Sequence, residues 1–311
     1  MITLADIQAT AARIAGRVRR TPLMTAAPTR AQLPAGTTLK VESLQVTGSF
    51  KARGATNKVL SLDGAALRRG LVTASGGNHG IAVAYAAWCA HVPATIVVPE
   101  NVAPLKAAKI RSYGADLVVH GKIWDQSNAH AHAIAEERRA TYVHPFADPT
   151  VVAGQGTVAL EILADDPETD TILIAIGGGG LISGMAVAAK ALHPGIRIVG
   201  VEPTGCPTMK AALDAGRIVK LDRIDTIVPT MAASATAELN FEICRQTVDE
   251  VVLVSDEAMR EAAVMLWLEL GIAADLSGAA SMAALLTRAY VPKPGERVCA
   301  LVCGAGPDGI G

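Results

Sequence analysis

The chain has 311 residues, half of them hydrophobic, 3% aromatic and 18% charged, with a formal net charge of −1. That length suits two domains around a large aliphatic core, and the composition excludes a disordered or fibrous protein. A charge so near zero gives no electrostatic case for nucleic acid or an anionic membrane surface.

Residues 3–20 read as an amphipathic helix, with Leu4, Ile7, Ala11, Ile14 and Val18 near one face, ended by Thr21-Pro22-Leu23. Residues 38–43 read as a strand and residues 52–60 as a helix. Between them Gly48 supplies a turn, and Thr47 and Ser49 are candidate N-caps. Lys51 then lies in a first helical turn, where exposed amides favour anions over an ammonium. Crowding by Arg53 and burial beside Phe50 further disfavour the charged form, and a lysine with a depressed pKa is a nucleophile. The alternative is a solvated lysine on a basic face with Arg53 and Lys58.

From Leu71 the chain alternates: strand 71–74, helix 78–90, strand 94–99, helix 104–113, strand 116–120, helix 124–139. A second set follows Pro145: helix 151–163, strand 171–176, helix 181–192, strand 196–201, helix 207–215, strand 251–254, helices from Asp256 and over 278–287, and strand 297–302. Repeated units of this kind predict parallel sheets with helices on both faces. The uncharged run 171–189 is long enough to span a membrane. Its four glycines, each costing about 1 kcal/mol in a helix interior, predict instead a buried strand, a loop and a helix.

Three more loops leave the ends of strands. In Thr73-Ala-Ser75-Gly76-Gly77-Asn78-His79-Gly80 the amides of a helix start can receive an anion; a tight turn with an ordinary Asn cap is the plainer reading. Gly177-Gly-Gly-Gly180-Leu181 offers a concave array of amides for a phosphate, or is a flexible turn. No Gly-Lys-Ser/Thr comes after it, so it is not a Walker A loop. Val302-Cys303-Gly304-Ala305-Gly306 lies after the last strand, and taken alone Cys303 reads as a buried hydrophobic cysteine. Cys89, Cys206, Cys244, Cys299 and Cys303 show no disulfide-like or zinc-like spacing, which suits a reducing compartment, and the N-terminus lacks a signal-peptide layout. His130 and His132, two apart on a helix, face different ways, which argues against a metal site.

The segment Ser49-Phe-Lys51-Ala-Arg53-Gly-Ala55 resembles the Schiff-base lysine segment of pyridoxal-phosphate enzymes of the tryptophan-synthase β-type fold. Within that group it is similar to the serine/threonine dehydratase and serine racemase family. The other three loops come in the family's order, and the resemblance covers nearly the whole chain. It implies an α/β protein of fold type II, with two domains that are each an open, mostly parallel twisted sheet with helices on both faces. Residues 1–64 with 148–311 would form a large cofactor-binding domain, and residues 65–147 a small one carrying the asparagine loop. Lys51 would be the catalytic lysine, beside Phe50. Gly177, Gly178, Gly179, Gly180 and Leu181 would seat the cofactor phosphate, Asn78 its 3′ oxygen, and Cys303 its pyridine nitrogen. Ser75, Gly76, Asn78 and His79 would surround the substrate. A neutral thiol at the pyridine nitrogen suits elimination better than transamination. Asn-His-Gly favours the dehydratase branch over the cysteine- and threonine-synthase branches. Gly154-Gln-Gly-Thr157 resembles a family segment too, but its role reads as packing and domain junction.

Three departures stand out. Racemase relatives carry a serine where this chain has Gly76. Relatives that bind a divalent ion carry an aspartate where it has Thr208, so no metal is expected. Thr230-Met231-Ala232 replaces a different family segment, and the change bears on the substrate side of the pocket. With Gly311 coming soon after the fourth loop, no regulatory domain is expected. The expected protein is a cytoplasmic homodimer that uses pyridoxal 5′-phosphate to dehydrate and deaminate a β-hydroxy amino acid such as L-threonine or L-serine. An amino-acid racemase of the same fold and a non-catalytic phosphate-ligand-binding protein are the alternatives.

Overall fold

Near-continuous apolar runs along the central strands explain how each of two sheets is buried in the structure, a computed structural model that describes residues 2–26, 28–31 and 33–310. Thr3 opens α1 (Leu4–Ile14) through a capping box with Asp6, satisfying two helix-start donors at once. The helix stops well short of residue 20, because Ala15 leaves the helical region and Gly16 takes a φ of 73°. Next, β1 (Leu23–Thr25) pairs antiparallel with β2 (Thr38–Val41). A left-handed Thr47, with φ 70°, turns the chain towards α2 (Lys51–Leu60). The N-cap of α2 is Phe50 without any side-chain bond, so neither Thr47 nor Ser49 caps it; the hydroxyls of both are buried and unpartnered.

A short α3 (Gly64–Arg69) leads to β3 (Leu71–Ala74), α4 (Asn78–Ala90), β4 (Ala94–Val98), α5 (Pro104–Ser112), β5 (Asp116–Val119), α6 (Trp124–Arg138) and β6 (Thr141–Tyr142). These strands form an all-parallel sheet in the order β5-β4-β3-β6. Leu71, Ile96 and Val98 join one apolar cluster with Val59 of α2 and Ile81 of α4; Val72, Ala74 and Val97 join another with Ala131 and Ile134 of α6. Both faces are therefore covered, as a parallel sheet requires.

The chain continues through α7 (Pro149–Asp165), β7 (Thr171–Ala175), α8 (Gly180–Leu192), β8 (Arg197–Pro203), α9 (Thr208–Ala215), α10 (Glu238–Thr247), β9 (Glu250–Val254), α11 (Asp256–Leu270), α12 (Leu276–Leu286) and β10 (Val298–Val302). The second sheet runs β1-β2-β10-β7-β8-β9, parallel except at β1. The uncharged run thus divides into β7, a glycine loop and α8. Among the described residues no helix is long and apolar enough to cross a membrane.

The order β2-β10-β7 decides where the site falls. Three adjacent parallel strands end at one edge of the sheet, and their C-termini deliver the Lys51, Cys303 and glycine loops side by side. Gly54 of α2 and Gly154 of α7 let those helices nearly touch: a Cβ on Gly154 would lie 2.4 Å from Gly54 Cα. The segment 154–157 therefore serves packing.

Candidate active site

Lys51 is the first residue of α2, partly buried, with its Nζ donating to the Pro145 carbonyl at 2.7 Å and 5.1 Å from the Phe50 ring centroid. Burial brings its pKa down to about 8. Arg53 plays no part in that shift, contrary to the crowding expected from sequence. Its buried guanidinium is forked onto two carboxylates, with Nη2 2.7 Å from Glu42 Oε1 and Nη1 2.6 Å from Glu161 Oε1, and Nη1 also reaches Thr157 Oγ1 at 3.1 Å. Buried Lys40 completes the network, its Nζ 2.7 Å from Glu161 Oε2. Lys58 pairs with Asp148 at 2.6 Å. The alternative of a solvated basic face is thereby overturned.

The Cys303 loop is sewn to the Lys51 segment by backbone. Phe50 N–H donates to the Cys303 carbonyl at 3.2 Å, Ala305 N–H donates to the Gly48 carbonyl at 2.7 Å, and Ser49 and Gly304 form an antiparallel bridge. The buried thiol sits 3.4 Å from the Ser277 carbonyl; burial, then the charge of Asp275, push its pKa up, so it stays neutral.

In the asparagine loop, Ser75 Oγ accepts from Gly77 N–H at 3.2 Å, and Asn78 Nδ2 donates to Asp275 Oδ2 at 2.9 Å. His79 is buried, with Nε2 3.0 Å from the Val143 carbonyl. A carbonyl only accepts, so Nε2 carries the proton and Nδ1, buried without a partner, carries a lone pair. Burial, then Lys51, lower the ring's pKa to about 3. This neutral ring has no N–H left to offer an anion. At Gly76 an added Cβ would meet Val102 Cγ2 at 2.9 Å.

Gly179, with φ 95°, is the N-cap of α8, and the first amide of that turn to find its backbone acceptor is Ser183 N–H, on the Gly179 carbonyl at 3.0 Å. The amides from Gly179 to Ile182 are those a helix start leaves for a ligand. Close packing explains the glycines before them: a Cβ on Gly178 would lie 2.3 Å from the Phe146 ring, and one on Gly177 2.5 Å from the Thr230 carbonyl. Asn240 Nδ2 holds the Gly178 carbonyl at 2.8 Å and the Phe146 carbonyl at 3.0 Å. Thr230 also lies 3.8 Å from the Cβ position of Gly77, so the departing segment 230–232 does stand between the two loops.

Residues 144–147 connect Lys51 to the glycine loop, and nothing in the sequence marked them beyond a proline between two elements. His144 Nδ1 accepts from Phe146 N–H at 3.2 Å and Ala147 N–H at 2.9 Å; burial, then Lys51, lower its pKa to about 4. Lys51 is thus flanked by two neutral imidazoles. Asn240 has no sequence signal. Asp275 has one, the helix-start pattern Asp-Leu-Ser-Gly.

Glu202, six residues before Thr208, is fully buried and accepts from Met209 N–H at 2.7 Å and Lys210 N–H at 2.9 Å at the start of α9. Burial raises its pKa to about 7, and Thr208 donates its hydroxyl to the Ala233 carbonyl. One carboxylate saturated by helix amides does not make a divalent-cation site. The two helical histidines stack separately, His130 on His120 and His132 on Tyr142.

A helix start with free amides suits a phosphate, and a lysine that is half neutral near pH 8 suits a carbonyl that condenses with amines. The fold and site thus define an α/β enzyme with a seat for a phosphorylated carbonyl cofactor. Residues 14–304 match the model of the pyridoxal-phosphate-dependent enzyme family, and the chain belongs to that family. An L-threonine ammonia-lyase of Geobacter sulfurreducens is 41% identical over 301 residues, covering 97% of this chain and 75% of that protein. Maize serine racemase superposes with a TM-score of 0.93 at 36% identity, covering 97% of this chain and 93% of that one. A threonine deaminase of T.th. superposes with a TM-score of 0.92 at 38% identity, covering 98% of each chain. Both agree with fold type II.

Proposed function

We propose that this protein is an ammonia-lyase that dehydrates and deaminates a β-hydroxy amino acid such as L-threonine or L-serine to a 2-oxo acid and ammonia. The observation that carries this reading is an asymmetry. Lys51 has a pKa lowered to about 8 and so suits a proton-transfer role, whereas Gly76, where racemase relatives carry a serine, has no side chain and Val102 fills its Cβ space. Likeness to the ammonia-lyases supports the substrate class.

Pyridoxal 5′-phosphate, when bound, supplies the electron sink for charge left on the substrate's α carbon. The Lys51 amine removes the α proton, helped by a pKa close to working pH. Amides from Gly179 to Ile182 would hold the phosphate, with Phe146 and Asn240 fixing the loop behind them. The Asn78 amide would hold the cofactor's 3′ oxygen, and the neutral Cys303 thiol would face its pyridine nitrogen without protonating it. Ser75 and the amides of residues 76–79 receive the substrate carboxylate. We assign residues 65–147 to a small domain and residues 1–64 with 148–311 to a large one, each built on one of the two sheets. Five free cysteines suit a reducing compartment such as the cytoplasm, and a homodimer is the proposed assembly.

Reconstitution of apo-protein should depend on pH chiefly through Lys51, since the imidazoles near it, His79 and His144, at about 3 and about 4, do not titrate above pH 6. With a pKa of about 8, roughly a tenth of the amine is neutral at pH 7. The rate of cofactor uptake should climb roughly tenfold from pH 6 to pH 7 and level off above pH 8. A profile flat over pH 6–9, or still rising towards the ordinary lysine value, contradicts the assignment.

A racemase is the second reading, favoured by the likeness to maize serine racemase. A positioned acid or base contributes about 10²–10⁴-fold, so D-enantiomer should form from L-serine far more slowly than 2-oxo acid. D-product accumulating as fast as oxo acid would replace the lyase reading by the racemase one. Gly76→Ser alone must displace Val102, at a cost of about 1–3 kcal/mol for overpacking. Gly76→Ser with Val102→Ala should regain that stability, measured by denaturation, and show the larger gain in D-product.

A further inference from the structure

Asp275 is a buried carboxylate with no cationic partner among the described residues. Its Oδ1 accepts from Gly278 N–H at 2.7 Å, as the N-cap of α12, and from Ser277 Oγ at 2.7 Å. Its Oδ2 accepts from Asn78 Nδ2 at 2.9 Å, and its own N–H donates to the Gly304 carbonyl at 3.1 Å. Capping alone does not need a carboxylate, because serine or asparagine caps as well. The second oxygen is what reaches out of α12 to a loop of the other sheet. Space is kept for that bond: a Cβ on Gly304 would lie 2.7 Å from Asp275 Oδ2 and 3.0 Å from Asn78 Nδ2.

A primary amide presents donors on one side and an acceptor on the other, and a half-turn about its terminal bond exchanges them. An acceptor-only neighbour at 2.9 Å leaves Asn78 no choice: its nitrogen must face Asp275. The second N–H of Asn78 then stays available as a donor. We propose that Asp275 is a positioning residue, fixing the amide of Asn78 so that it offers an N–H to the 3′ oxygen of the cofactor. The proposal rests on the reading of Asn78 as a cofactor contact.

The test is a titration of apo-protein with pyridoxal 5′-phosphate, followed by absorbance, for Asp275→Asn, Asp275→Ser, Asn78→Ala and the pair Asp275→Asn/Asn78→Ala. Both Asp275 variants keep an N-cap, so both should melt close to the unaltered protein. Each should weaken cofactor binding by about tenfold, the scale of one hydrogen bond, and Asn78→Ala should do the same. In the pair the Asp275 change should add little, because the two residues act through one bond. Normal binding by both Asp275 variants, or an undiminished further loss in the pair, overturns the positioning role. Normal binding by Asn78→Ala overturns the Asn78 contact itself, and with it the proposal. A purely structural role would lower melting without this coupling.

Discussion

Replacing Lys51 with alanine is expected to leave a folded protein with essentially no turnover and no visible absorbance from lysine-bound cofactor. The fold should survive because Lys51 makes one side-chain hydrogen bond, to the Pro145 carbonyl. Below pH 8 it also carries a charge the fold disfavours, its pKa being lowered from 10.5 to about 8. Removing it should therefore leave the melting temperature unchanged or slightly higher near pH 7. Activity loses an attachment point and a base together. A base alone contributes about 10²–10⁴-fold, so the fall should exceed about 10⁴-fold. A variant that kept a hundredth of the activity would falsify the role of Lys51.

The largest effect on stability is expected at Arg53. Alanine there strands Glu42 without a cation among the described residues and leaves Glu161 only Lys40. Burial works to raise the Glu161 pKa, and its hydrogen bonds to Arg53, then Lys40, outweigh that. Removing one partner of such a buried set costs about 3–5 kcal/mol, a large share of a typical 5–15 kcal/mol. Arg53→Lys should recover only part of the loss, because an ammonium cannot fork onto two carboxylates. Lys210→Ala, which breaks an exposed pair with Asp214, should cost about 0.3–0.5 kcal/mol. Denaturant titration of the three variants checks the order; a cost below about 1 kcal/mol at Arg53 contradicts a structural role for the network. Because Arg53 lies two residues after Lys51 on α2, cofactor affinity should fall with stability.

Local patterns carried far in this chain. Strand–helix alternation from Leu71 to Arg138 was legible because each apolar run has strand or helix length and is punctuated by glycine, proline or a polar cap. The glycine and cysteine loops were legible as strand ends. The missed elements are short or disguised: β1, β6 and α3 are too brief for a period to register, and buried Asn240 interrupts the apolar face of α10. Thr47 is a β-branched residue with positive φ, which propensity alone disfavours. The rest depends on distance along the chain. Arg53 looks like a crowding cation until Glu161 is brought to it, Asn78 looks like a helix cap until Asp275 meets it, and His79 looks available until the Val143 carbonyl accepts from its N–H. Residue type and spacing describe what a side chain can do; only the fold decides which partner has already claimed it.

The central claim is that Lys51 holds the cofactor, and covalent capture tests it most directly. Cofactor-loaded protein is treated with borohydride, which fixes the lysine–cofactor linkage, then digested and sequenced by mass spectrometry. The added mass should fall on Lys51 and on no other lysine, although Lys58 lies on the same helix and Lys109, whose Nζ is 2.8 Å from the Thr47 carbonyl, approaches the same segment. Mass on Lys58 or Lys109, or on no lysine in protein that still turns over, would contradict the account.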